Sequence, residues 1–147
     1  MVYKFRFQKI IDFIENEKQK TLVEYEQAVQ EFERVATKLY ECLKKKEELE
    51  AKRAEMLHDG LSIQEMRHHQ QFVANLDQMI NHYQKLVMLK RHEMNEKQAL
   101  LTDQNIEFKK YEKMKEKDYQ NFLLKEKTDE MKELDQISLT GYTYRRN

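Results

Sequence analysis

The chain has 147 residues, with 27 basic and 27 acidic side chains, two glycines and no proline. Charges that cancel leave no nucleic-acid or membrane footprint in the total, and a chain so poor in turn-formers cannot build a many-cornered globular fold. Charged residues at 37% match long helices and coiled coils, while 10% aromatic residues and a sustained apolar period exclude a disordered tail.

The N-terminal stretch MVYKFRFQKIIDFIEN carries Asp12 and Glu15 where a signal peptide needs an unbroken apolar region. No segment approaches the roughly 20 apolar residues of a membrane span. The single Cys42 has no partner for an internal disulfide and fits a reducing compartment. A cytoplasmic protein is expected.

Helix one is predicted over about residues 3–58. A 3-4 spacing runs through Ile11, Ile14, Lys18, Thr21, Tyr25, Ala28, Phe32, Val35, Leu39, Cys42, Lys46, Leu49, Arg53 and Met56, and ten of these fourteen are apolar. The turn falls at 59–61, within LHDGLSIQEM. Gly60 can take the left-handed conformation that closes a helix. Ser62 reads as the next N-cap, with Glu65 completing a capping box and Leu61 and Met66 placed as a hydrophobic staple.

Helix two is predicted over about 62–136. The same spacing passes through Met66, His69, Val73, Leu76, Ile80, Tyr83, Val87, Lys90, Met94, Lys97, Leu101, Gln104, Phe108 and Tyr111. Heptads sustained this long indicate a left-handed coiled coil. The two series pair when residue numbers sum to 122: Met56 with Met66, Leu49 with Val73, Cys42 with Ile80, Leu39 with Tyr83, Ile14 with Phe108. The predicted fold is therefore all-α, a long two-helix antiparallel coiled-coil hairpin occupying 1–136. In its weaker layers, Lys18 with Gln104 and Tyr25 with Lys97, the charged heads reach toward water. Helix two overhangs helix one, and Phe122 stays on the stripe without a helix-one partner. Residues 137–147, with Gly141, form a flexible tail.

The sequence carries few chemical motifs. His68 and His69 point about 100° apart and His82 lies almost four turns on, so no HxxxH, HxxE or CxxC pair presents metal ligands on one face. His69, opposite Arg53, reads as a polar layer in the seam. Two isolated glycines make no phosphate loop, and a two-helix rod offers no pocket to desolvate paired carboxylates. Cys42 on the seam is a structural thiol, and Lys44, Lys45 and Lys46 form a solvated face. No catalytic residue, cofactor or metal is expected.

One stretch stands apart: HHQQFVANLDQMINHYQKLV, residues 68–87. Val73, Leu76, Ile80, Tyr83 and Val87 fill the seam, while Phe72, Met79 and Leu86 form a second stripe, seven residues apart. A two-stranded coiled coil covers one narrow stripe per helix. Either Leu43, Ala36 and their neighbours widen the seam to cover the second stripe, or it is exposed for a partner helix or groove.

These residues resemble the FliJ family of the bacterial flagellar type III export apparatus. Phe5-Arg6-Phe7-Gln8-Lys9-Ile10-Ile11 is similar to the family's aromatic-basic-apolar opening. His69-Gln70-Gln71-Phe72 through Leu76 is similar to its helix-two motif. The resemblance spans essentially the whole chain. It implies a non-enzymatic export factor, similar to the central shaft of rotary ATPases, that sits within the hexameric export ATPase ring. It also implies binding to the cytoplasmic part of the export gate and to export chaperones, at the basal body on the cytoplasmic side of the membrane. The implied gate surface is Phe72, Leu76, Met79 and Tyr83; on its helix-one side, where the family has aromatic residues, this chain has Lys45 and Leu49. Phe5, Arg6, Phe7, Ile10, Phe13, Tyr111 and Phe122 are the residues expected to meet the ATPase ring. Two alternatives are a scaffolding coiled coil, such as a homodimer burying the second stripe, and the corresponding stalk of a virulence-type injection system.

Overall fold

A computed structural model describes residues 2–60 and 62–146. The chain is all-α: helices α1 (Gln8–Asp59) and α2 (Ile63–Arg146) pack against each other as a hairpin. Whereas the sequence reading treats 1–136 as one coiled coil, the chain groups into two compact units. A turn unit comprises Lys20–Leu101, and a terminal unit combines Met1–Gln19 with Thr102–Asn147.

The periodicity identifies the buried stripes. All fourteen α2 positions of the 3-4 series are buried or half-buried, as are thirteen of fourteen on α1. Arg53 is the exception, because its guanidinium lies exposed instead of forming a polar layer with His69. The imidazole of His69 is half-buried, and its Nε2 has no protein hydrogen-bond partner.

In the turn unit Cys42, Leu76 and Ile80 form a buried cluster, with Leu39, Leu49 and Tyr83 packed against them. Cys42 with Ile80 and Leu39 with Tyr83 are thus brought into one cluster, as the 122 register requires. Two ion pairs flank the seam at almost the same sum, Lys46 Nζ to Asp77 at 2.8 Å and Lys97 Nζ to Glu24 at 2.6 Å. Lys97 therefore directs its ammonium to a carboxylate at the seam's edge. In the terminal unit, Lys18 lays its ammonium 4.8 Å from the centroid of the Phe108 ring.

The turn follows from local chemistry. Gly60 adopts φ +87° directly after α1 ends, a region that L side chains rarely enter. The Ser62 hydroxyl accepts from the Glu65 N–H at 3.2 Å, and its carbonyl accepts from the Met66 N–H at 3.1 Å. Together these start α2 as an N-cap does. The staple expected of Leu61 falls on a residue outside those described.

The helix ends differ from the sequence expectation. α1 begins at Gln8, not near residue 3, because residues 2–5 are non-helical and 6–7 form a turn. Gln8 N–H donates to the Phe5 carbonyl at 3.2 Å, and Ile11 N–H to that of Phe7 at 3.1 Å. At the other end, α2 continues past Gln136, where a flexible tail was expected, to Arg146. No proline interrupts it, and Thr128, Thr140 and Thr143 donate their hydroxyls to carbonyls four residues back at 2.8, 2.8 and 2.9 Å.

The two glycines should respond oppositely to alanine. Neither has an atom within 4 Å of an added Cβ, so only backbone preference decides. Gly60→Ala should destabilise the protein by about 1–2 kcal/mol. Gly141→Ala should instead favour helix by about 0.5–1 kcal/mol. Thermal melts of the first, and amide exchange over residues 137–146 of the second, check these signs.

Candidate partner-binding surfaces

The first surface lies in the turn unit. The α2 repeat that points Leu76 and Ile80 into the seam turns Phe72 and Met79 to its flank, one residue before Val73 and Ile80. Phe72 is 46% exposed and Met79 47%, whereas Leu76 and Ile80 are 4% and 6%. Phe72, Asn75, Leu76 and Met79 line an open hollow with Glu41, Cys42 and Lys45 of α1. Of the two readings of the second stripe, exposure holds for Phe72 and Met79. The covering residues proposed for α1 do not line this hollow, and Leu43 is itself 44% exposed. Leu86, the third member of the stripe, is half-buried.

The α1 side of the hollow is polar. Lys45 places its ammonium 5.3 Å from the Phe72 ring centroid, a cation–π contact, while Leu49 packs into the core cluster. Tyr83 is half-buried against that cluster, with the His82 ring 5.4 Å away, and does not line the hollow. The four residues of the implied gate surface thus divide in two. Phe72, Leu76 and Met79 share one hollow, and Tyr83 serves the core.

The second surface lies in the terminal unit and is more self-contained than the sequence suggests. Residues 3–7 lie along α2 as a strap. Tyr3 stacks edge-on to Tyr119 at 5.0 Å and packs on Phe122 at 5.2 Å. Phe5 stacks on Phe7 at 5.7 Å, and Phe7 on Tyr111 at 6.3 Å. Arg6 holds its guanidinium 5.4 Å from the Phe7 ring. The Tyr3 hydroxyl donates to Asp118 Oδ2 at 3.0 Å and approaches the Lys115 carbonyl at 3.3 Å. Phe122 therefore does have a partner, from the chain ahead of α1. Of the residues expected to meet a ring, Phe5, Phe7, Tyr111 and Phe122 are half-buried in this aromatic cluster, while Arg6, Ile10 and Phe13 are exposed.

Sequence reasoning missed Tyr3, Asp118 and Tyr119. The signal was the alternation in Tyr3-Lys4-Phe5-Arg6-Phe7, a period-2 pattern that marks extended chain packed on one side. Extending helix one back to residue 3 concealed it.

Among the described residues no group of His, Cys, Asp and Glu converges to hold a metal. No described helix is long and apolar enough to cross a membrane.

Two measurements test the surfaces. Ile80→Ala should cost about 2–5 kcal/mol and lower the melting temperature clearly. Phe72→Ala and Met79→Ala should each cost about 1 kcal/mol or less. Separately, partial burial raises the phenol pKa of Tyr3 above 10.0, reinforced by the hydrogen bond to Asp118 and its charge. A raised pKa in the folded state means the strap's contribution is complete below pH 10 and is lost as pH climbs through the raised value. An alkaline titration followed by amide exchange of residues 112–124 should show this loss, and Tyr3→Phe should remove its phenol-dependent part.

The sequence profile of the family described as "Flagellar FliJ protein" matches residues 3–147. A flagellar FliJ protein of Bacillus subtilis (strain 168) is 58% identical over 142 residues, covering 97% of each chain. No solved structure shows significant similarity.

Proposed function

The chain belongs to the FliJ family of flagellar proteins, and on that premise we propose that it is a non-enzymatic, stalk-like component of the flagellar type III export apparatus. In this reading it stands in the export ATPase hexamer, contacts the cytoplasmic domain of the export gate and receives export chaperones. It works in the cytoplasm, peripherally associated with the membrane at the basal body. The observation that carries the gate assignment is the exposed pair Phe72 and Met79 over a Leu76 floor, the apolar α2 side of a hollow that the hairpin's own seam leaves unused. Exposed apolar residues at heptad spacing are what a partner helix or groove recognises. For the ring, support comes from the exposed Ile10 and Phe13 beside the aromatic cluster of the terminal unit. Tyr83 enters the gate reading only indirectly, by fixing the cluster beneath the hollow.

The test separates the two surfaces. Using the chain as bait, Phe72→Ala and Met79→Ala should reduce recovery of the gate's cytoplasmic domain and impair motility without altering recovery of the ATPase. Truncation after Lys110 removes Tyr111, Tyr119 and Phe122 but keeps the turn unit's cluster. That fragment should lose the ATPase and retain the gate. Ring assembly unchanged by the truncation would overturn the stalk assignment, and a dimeric mass by light scattering would favour a homodimer scaffold.

A further inference from the structure

Along the strap, Tyr3, Phe5 and Phe7 are half-buried on the aromatic cluster, whereas Lys4 and Arg6 between them are exposed. Two further cations come to the same place. Lys9 stands in the first turn of α1, which has no acidic residue. Lys115 stands on α2, at the residue whose carbonyl accepts from Tyr3. Together Tyr3, Lys4, Phe5, Arg6, Gln8, Lys9 and Lys115 line one open hollow. It holds four cationic side chains and no carboxylate, in a chain of 27 basic and 27 acidic residues. Among the described residues Lys4, Lys9 and Lys115 form no ion pair, and the Gln8 amide is turned away to Asp12 at 3.0 Å.

We propose that this hollow is an anion site that takes the carboxylates of an acidic segment on a protein partner. Four like charges held close together repel one another and gain most from an anion that enters among them. Concavity favours a protruding side chain over a flat surface. A bilayer would also press its anionic face against Glu112 and Glu116, which lie with Tyr3 and Tyr119 around the adjoining hollow, and against Asp118 under the Tyr3 hydroxyl. The site is assembled only while the strap is seated, because Lys4 and Arg6 ride on it. An acidic ligand therefore holds the strap closed by mass action. The proposal shares Phe5 and Arg6 with the residues expected to meet the ATPase ring, but it is argued from the hollow and tested without the ring or the gate.

The experiment titrates the full chain with a short oligoglutamate peptide at low ionic strength, where charge–charge binding is least screened. Binding should protect amides of residues 3–9 from exchange. Arg6→Gln combined with Lys115→Gln should weaken it roughly tenfold or more, while Lys44→Gln combined with Lys52→Gln, away from the hollow, should leave affinity unchanged. Exchange of residues 112–124 in the first variant reports that the strap remains seated. Equal affinity in both variants overturns the site, whether binding is retained or lost in both. Tighter binding to phosphatidylserine vesicles than to the peptide, or equal protection by inorganic phosphate alone, overturns an acidic protein segment as the occupant.

Discussion

A pair of helices can bury only one narrow stripe on each, and the other features of this chain follow from that limit. The stripe is used from Ile11 to Met56 on α1 and from Met66 to Tyr111 on α2, with Arg53 alone turned out. Most large apolar residues off the stripe find little room inside the hairpin, Leu86 being half-buried there. Phe72 and Met79 are in that position, and an exposed hollow is the result. The same limit acts where α2 outlasts α1: Tyr119 and Phe122 lie beyond the helical partner, and Tyr3, from the non-helical chain ahead of α1, packs on both.

The hairpin was readable because its signals are local and redundant. Gly60, Ser62 and the 3-4 spacing each point to the same corner and the same register, and a one-step error in pairing would have faced Cys42 with Met79 or Asn81, both off the stripe, in place of Ile80. The strap was not readable to the same degree. Its alternation covers five residues, too few to outweigh the helical pattern that begins at once with Ile10 and Ile11. Tyr3 also bonds to a residue 115 positions away, which no local pattern encodes. The extent of α2 was underestimated for a related reason: Gly141 reads as a breaker, yet a single glycine in a helix costs only about 1 kcal/mol.

The candidate sites were legible in part. Heptad spacing alone separated Phe72 and Met79 from the seam, and it also placed Leu76 at the floor. It could not show that Lys45, standing where the family has an aromatic residue, replaces a ring with a cation resting on Phe72. Nor could it show that Phe7, Tyr111 and Phe122 spend their faces on one another and on Tyr3. Contacts of that kind depend on which side of a helix a distant segment crosses.

The strap also sets an order of assembly. Lys46 and Asp77 are close in sequence across the turn, so their pairing can follow directly once Gly60 reverses the chain. Tyr3 and Asp118 would have to close a far longer loop unaided, and each doubling of loop length adds about 0.6 kcal/mol. Zippering outward from the turn shortens that loop step by step, so local contacts form early and the strap seats last. In reverse, the strap is first to detach, with every layer of the seam still in place. Its opening is therefore a step taken by a folded molecule, separate from global unfolding.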